Sequence, residues 1–492
     1  MNNVKIRSKF RISSIIPQEM NIFDIIVIVV IYIGCWVLFC YPDIFVTASY
    51  SHAYLDGHIL DFNRFNRELF PNGYIDYLYP IYIVFAIWQL PLKIFGLLTP
   101  VANKGLEQMV LGGVKLYPFE TIWLKLLLIL SIAVCSIVIY KISKLLCGNK
   151  NESKLTAWMF LCNPVTIYSS LIFTGYDILG LTLTMIGLYY FLKHNHKLFV
   201  LFFTLAIPFK FFALVPFIAL LLLVRKNIWK ILLNLLSAGS FTAAIFLYAT
   251  LIDKGSTGLR LVAAKTIGEC ISFGELMTPS LELLSLVVVY FICYITQIDN
   301  DEDKHKRSAV WLPLASLLSM FTFIHWHPMW LIILIPWFLF AFQFIENKVY
   351  PIVFMIVGVL AMFVKFFDQF SWCDNHLFSD GALRAFFPIE NISVGALIPG
   401  RIIPFFDALL LIFFLSPFIL RWIEKKGIIL PAIGLFKTQT GYVRLLNYGC
   451  MAFYIALVFA MLALTIKFPQ FAGAVNGGSI AELVKTMLIH GG

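Results

Sequence analysis

The chain has 492 residues, of which 60% are hydrophobic and 13% charged, with a mean hydropathy of +0.87. A water-soluble domain carries about 25% charged residues, so this composition excludes a soluble globular protein and predicts an all-α polytopic membrane protein. The net charge of +10 comes from short basic clusters between apolar runs, a pattern that orients membrane spans and gives no reason to expect a nucleic-acid partner.

Lys5, Arg7, Lys9 and Arg11 precede the first apolar run, 22–40. No small-residue cleavage site accompanies that run, so it reads as a retained helix with a cytoplasmic N-terminus. Residues 41–119 form a first outer loop with juxtamembrane helices. Its apolar stretch, 78–98, contains Pro80, Pro91 and Lys93, which suits an interfacial or re-entrant helix better than a clean span. That choice also keeps Lys141, Lys144, Lys150 and Lys154 on the cytoplasmic side. Spans are then predicted over 121–140, 155–173 and 178–192, followed by a short pair, 198–209 and 211–223, on either side of Lys210. Further spans fall at 231–251, 281–295, 309–324, 329–344, 351–366, 402–420 and 445–466, with a late outer loop at 368–401. The total is roughly 13 crossings in a single transmembrane domain, 1–492.

Charge sorting supports this topology. Predicted inner loops hold Lys193, Lys197, Arg225, Lys226, Lys230, Lys304, Lys306, Arg307, Lys348, Arg421 and Arg444. Predicted outer segments hold Asp43, Asp56, Asp61, Asp177, Asp253 and Asp368, together with His52, His58, His325 and His327. Arg64, Arg67, Lys254, Arg260 and Lys265 fall outside as exceptions. No internal repeat divides the chain into transporter-like halves.

Several polar residues at the predicted outer rim are candidates for chemistry. Asp43 follows Pro42 at the membrane surface, where a carboxylate is a stronger base than in water; a helix-capping or turn role competes with that reading. Asp177 opens a span, where it also complements the helix dipole. Lys210 lies between two apolar half-spans and suits a phosphate contact or a snorkelling side chain. His325 and His327, in FIHWHPMW, suit donation to a phosphate or hydroxyl, or places in an aromatic belt. Their i, i+2 spacing does not put them on one helical face, so it is a weak zinc signal. Lys365, Arg384 and Arg401 are late cations near the outer face, as a lipid phosphate would require. The nine cysteines contain no CxxC pair, which argues against a zinc or redox site. Cys270 and Cys373 share the outer side without a spacing that dictates a disulfide. Asn391-Ile392-Ser393 is a sequon on that face.

Taken together, these residues resemble the GT-C glycosyltransferases, integral membrane enzymes that use lipid-phosphate sugar donors. The resemblance runs from about Ile22 to Phe344. It comprises a basic N-terminus, one span, an early acid in the first outer loop (Asp43), Ser51-His52-Ala53-Tyr54-Leu55-Asp56-Gly57, then Tyr77-Leu78-Tyr79-Pro80. Gly175-Tyr176-Asp177 looks like the family's second-loop Gly-x-Asp, and the lysine of PFKFFALVP looks like its basic residue after the next span. The resemblance implies that Asp43 is the base and Asp177 its support. On this reading the donor phosphate is held by Lys210 and one or more of His325, His327, Lys365 and Arg384, with His52 and Asp56 in the acceptor-side loop. The expected donor is a polyprenyl-phosphate sugar and the acceptor a glycan or lipid-linked molecule. The expected setting is a plasma, inner or endoplasmic reticulum membrane, with the active site on the non-cytoplasmic face. No Asp-x-Asp surrounds Asp43, so the sequence assigns no cofactor and leaves a divalent cation open. Two alternatives remain. A flippase or transporter of lipid-linked sugars would need ionisable groups deep in its spans, where Lys125 and Asp407 are the main examples. An envelope-polysaccharide polymerase would favour an Arg-rich late loop, whereas 368–401 holds only Arg384 and Arg401.

Overall fold

In the computed structural model the described residues are all-α, with no strand among them. The structure describes residues 16–456 except 19, 42, 71–76, 100–115, 117, 254–277, 299–300, 324–326, 347–348, 370–402, 429–440, 442 and 453–454. Helix α1 (Ile22–Leu38) opens with a capping box: the Asn21 side chain accepts from the Asp24 N–H, and Asp24 accepts from the Asn21 N–H, each at 2.9 Å. Such a cap stabilises a helix by about 1 kcal/mol. One face of α1 is buried through Val27, Ile28, Ile31 and Cys35, while Ile26, Val29, Val30 and Ile33 are exposed.

That pattern recurs. Helix α11 (Ile228–Leu251) exposes Leu232, Leu233, Leu236 and Leu247. Helix α12 (Thr278–Ile295) exposes Leu283, Leu284, Val287, Val288 and Phe291. Apolar stripes of this extent would drive association in water but cost nothing against lipid tails.

Three short helices follow α1: α2 (Asp43–Leu55), α3 (Phe62–Leu69) and α4 (Tyr79–Ile94). They form one layer at the C-terminal end of α1. Gln89 of α4 donates to Ser51 Oγ at 2.7 Å and pairs with His52 Nε2 at 2.8 Å. Helix α5 (Pro118–Cys147) starts from this layer. The Trp88 and Trp123 indoles each donate to the other's backbone carbonyl at 2.7 Å. Lys125 donates to the carbonyls of Cys35, at 2.6 Å, and Phe39, so it caps the last turn of α1 from within the bundle. Asn149 then caps α6 (Lys150–Cys162) and turns the chain back. At that far end Lys154 Nζ donates to the Ile16 carbonyl at 2.8 Å, and the Gln18 N–H to Asn151 at 3.1 Å. The chain thus travels the bundle once along α1 and returns along α5, with α2–α4 staying at one end.

After Asn163-Pro164 the path bends by 47° into α7 (Pro164–Ile167) and a π turn, Tyr168–Ile172. Helices α8 (Asp177–Leu192) and α9 (His196–Ala206) pack closely, because a Cβ at Gly187 would meet Phe203 at 2.6 Å. Then come α10 (Leu214–Val224), α11, α12, α13 (Glu302–Phe323), a 3-10 turn at Pro328–Ile333, α14 (Ile335–Gln343), α15 (Val349–Gln369) and α16 (Ile403–Lys425). Helices α15 and α16 meet where Gly358 faces Phe413, and a Cβ there would fall 2.4 Å from the ring.

Among the described residues three helices are long and apolar enough to cross a membrane: Pro118–Cys147, Ile228–Leu251 and Pro404–Lys425. The total rises to five if α1–α2 and α6–α7 each count as one broken span. This is fewer than the expected roughly 13. Much of the difference lies in apolar helices of 10–17 residues, below the ~20 that one straight crossing needs. Helices α9 and α10, 11 residues each, are the half-spans expected around Lys210. The late loop from 370 onward lies outside the described residues, as do Cys270, Arg384, Arg401 and the sequon at Asn391.

Candidate functional site

Two loops meet at the α2–α4 end of the bundle. The first follows α1 and carries Asp43 as the first residue of α2. The second links the π turn to α8 and carries Asp177 in the first turn of α8. Thr174 clips them together. Its hydroxyl donates to the Tyr41 carbonyl at 3.1 Å and lies 3.3 Å from the Tyr41 N–H. The Tyr41 ring stacks on Phe173 at 4.2 Å. Thr174 adopts φ 56°, unusual for a β-branched residue; such a conformation costs about 1–3 kcal/mol and persists when its surroundings over-determine it. Gly175 follows because a Cβ there would lie 2.8 Å from the Ser169 carbonyl oxygen.

Asp43 is half-buried, and the Tyr77 hydroxyl donates to its Oδ2 at 3.2 Å. Burial pushes the Asp43 carboxyl up to about 6; hydrogen bonds from Tyr77 and Tyr176 and the charge of Lys210 oppose this, while the Asp177 charge adds to it. Tyr176 sits between the loops, its hydroxyl 2.8 Å from Thr47 Oγ1 and its ring 4.8 Å from that of Tyr77. Asp177 Oδ1 lies 2.7 Å from Lys210 Nζ. The approach of Lys210 depends on Gly180, one turn into α8, where a Cβ would come within 3.2 Å of Phe209 and 3.4 Å of Lys210. Lys210 itself occupies the extended break between α9 and α10. Its ammonium lies 4.6 Å from the centroid of the Trp330 ring, and that ring contacts the His327 imidazole edge-on at 4.7 Å.

The structure therefore brings Asp43, Asp177, Lys210 and His327 into one neighbourhood. His52 and Asp56 do not join it. His52 lies nine residues along α2 from Asp43, about 13 Å on a helix. It is buried against Gln89 and Glu120, with Nε2 3.3 Å from the Glu120 carboxylate. Asp56 pairs with Lys93 at 2.8 Å on the surface. His52 ties α2 to α4 and α5, because a polar side chain on the inner face of α2 must find its partner there; Asp56, just past the end of α2, ties that end to α4 from the surface. His325, Arg384 and the side chain of Lys365 lie outside the described residues. Four contributors escaped the sequence reading: Tyr77, Thr174, Tyr176 and Trp330. Tyr77 and Tyr176 lie inside the motifs flanking the acids, and Trp330 follows His327 by three residues; proximity to those motifs was the available signal.

A second buried carboxylate marks the same end of the molecule. Asp253, just past α11, accepts from the Asn63 N–H at 2.9 Å, from Asn63 Nδ2 at 2.7 Å and from the Tyr79 hydroxyl at 2.7 Å. It anchors α3 and α4 over the bundle. Arg64, an exception to the charge sorting, is held by Asp61 at 2.8 Å.

An all-α bundle with lipid-compatible faces and a polar site at one end defines a helical membrane protein. No protein-family profile matches this sequence, and no curated protein sequence matches it.

Proposed function

We infer that the chain is an inverting membrane glycosyltransferase of the GT-C type. It moves a monosaccharide from a polyprenyl-phosphate donor to a hydroxyl of a glycan or lipid-linked acceptor on the non-cytoplasmic face. The observation that carries this reading is Asp43: a carboxylate of raised proton affinity, oriented by Tyr77 and electrostatically coupled to the Asp177–Lys210 pair. In the proposed step the acceptor oxygen attacks the anomeric carbon as its proton passes to Asp43. The bond from that carbon to the phosphate oxygen breaks, and the lipid phosphate leaves with the electron pair. A phosphate monoester is already a good leaving group, so the main needs are orientation, a base and charge stabilisation. Lys210 and His327 are the cationic or donating groups on the phosphate side. Asp177 positions Lys210.

The sidedness of the reading rests on two sets of contacts. Residues 16–18, Lys154 and Asn151 gather at one end of the bundle, and Arg444 joins Asp24 there at 3.1 Å. Asp43, Asp177 and Asp253 gather at the other. A basic end and an acidic end are the arrangement that cytoplasmic retention of positive charge favours. Two facts weigh against a flippase. Lys125 is occupied in capping α1, and Asp407 lies in the second turn of α16 with its side chain exposed. Among the described residues few ionisable groups are then left deep in the bundle for alternating access.

The test is incubation of the purified protein with a panel of polyprenyl-phosphate monosaccharides and with glycan and lipid-linked acceptors. Release of lipid phosphate with one sugar supports transfer. Passage of intact lipid-linked sugar across a vesicle membrane, without release, would replace transfer with flipping.

A further inference from the structure

We propose that His194, Glu302 and His305 form a binding site for a divalent transition-metal ion, zinc fitting best, that ties the α8–α9 corner to the start of α13. The site stands at the other end of α8 from Asp177, about 24 Å away along a 16-residue helix. It is independent of the transfer chemistry.

His194 lies in the short link between α8 and α9 with φ 55°. Its amide donates to the Phe191 carbonyl at 2.9 Å, which fixes the link. Its Nε2 is 3.2 Å from Glu302 Oε2. Glu302 and His305 are i and i+3 in the first turn of α13, so they share a face. The His305 ring is stacked between Phe191, at 5.0 Å, and His194, at 4.6 Å. His305 is only 3% exposed, and neither of its ring nitrogens has a hydrogen-bond partner. Buried polar groups are nearly always satisfied, so an imidazole in this state points to a missing ligand.

One ligand atom from each of the three residues lies within 4.8 Å of the others. A tetrahedral ion with bonds of about 2.0–2.1 Å separates its donors by roughly 3.4 Å. The His194–Glu302 edge is already there. His305 needs a swing of up to about 1.4 Å to close the 4.8 Å limit to that spacing, and it has no hydrogen bond to give up. Two imidazole nitrogens and one carboxylate oxygen suit zinc and leave one position for water. Lys306 Nζ lies 3.4 Å from Glu302 Oε1, the oxygen facing away from His194, so it orients the carboxylate without occupying the ligating atom. Two of the three ligands, His194 and Glu302, stay exposed, so an ion can enter. The sequence hides this site because His194 and the Glu302/His305 pair are 108 residues apart and no cysteine is involved.

The experiment uses the full-length protein in detergent, stripped with a chelator and titrated with zinc alone against a chromophoric competitor. Thermal unfolding is measured with and without zinc. The expected result is one zinc per chain and a raised unfolding midpoint. H194A, on the exposed link, and E302Q are expected to bind at least ~10-fold more weakly and to lose the midpoint shift. H305A is informative where it folds, and H194A serves where it does not. Stoichiometric zinc that persists in the H194A/E302Q double variant, no binding by the wild type, or equal binding of magnesium would each overturn the proposal.

Discussion

Asp43 and Asp177 have opposite surroundings, and that difference assigns their roles. Asp177 is paired with Lys210 at 2.7 Å, which commits its carboxylate to positioning that ammonium. Asp43 faces the hydroxyl donors Tyr77 and Tyr176, and burial holds its carboxyl at about 6. An acid raised in this way carries its proton below that pH and can accept one only above it. The transfer rate is therefore expected to fall about tenfold per unit as pH drops below about 6, read from initial rates of lipid-phosphate release. Asp43→Asn is expected to lower the rate by about 10²–10⁴-fold, with donor binding kept; full activity in that variant would remove Asp43 as the base. The coupling gives a signed test. Asp177→Asn removes a negative charge near Asp43 and frees the charge of Lys210, and both changes favour the ionised Asp43. The acid limb of the pH profile is expected to move to lower pH. Lys210→Met removes a positive charge and is expected to move it higher.

At the scale of elements, the site depends on how closely backbones approach. Gly175→Ala would force the α8 loop off the Ser169 carbonyl, and is expected to destabilise the protein by about 1–3 kcal/mol, measured as a lowered unfolding midpoint. Thr174→Val keeps the shape but loses the hydroxyl that joins Tyr41, and leaves a buried carbonyl short of a donor. Its expected loss is about 1–3 kcal/mol, with a larger fall in activity than in stability if the clip holds the two acids in register. The helices bounding these loops are legible in the sequence: the apolar runs 22–40 and 178–192 match Ile22–Leu38 and Asp177–Leu192. The hydropathy of 155–173 predicts one span, whereas Pro164 and a π turn break it. Hydropathy averages over a window, and a bend leaves that average unchanged.

Over the whole molecule, the acid-rich end and the base-rich end follow from the path out along α1 and back along α5 to the start of α6. A cysteine introduced at the exposed Ile59 is expected to react with a membrane-impermeant maleimide added to intact cells, and one at the exposed Lys150 only after permeabilisation. The parent protein without the added cysteine is the control. Labelling of both from outside would break the proposed topology. The sequence by itself determined the class of molecule, because the 60% apolar composition can be satisfied only in lipid and basic clusters bias orientation. It also pointed to Asp43, Asp177, Lys210 and His327. Tertiary structure alone decided that these four converge while His52 and Asp56 turn into the α2–α4 and α2–α5 contacts. The reason is physical. Burial in lipid is a property of each segment and can be summed along a chain. The meeting of two carboxylates depends on a hydroxyl clip, two glycine contacts and a lysine in a helix break, and no one of these is visible until the backbone has folded.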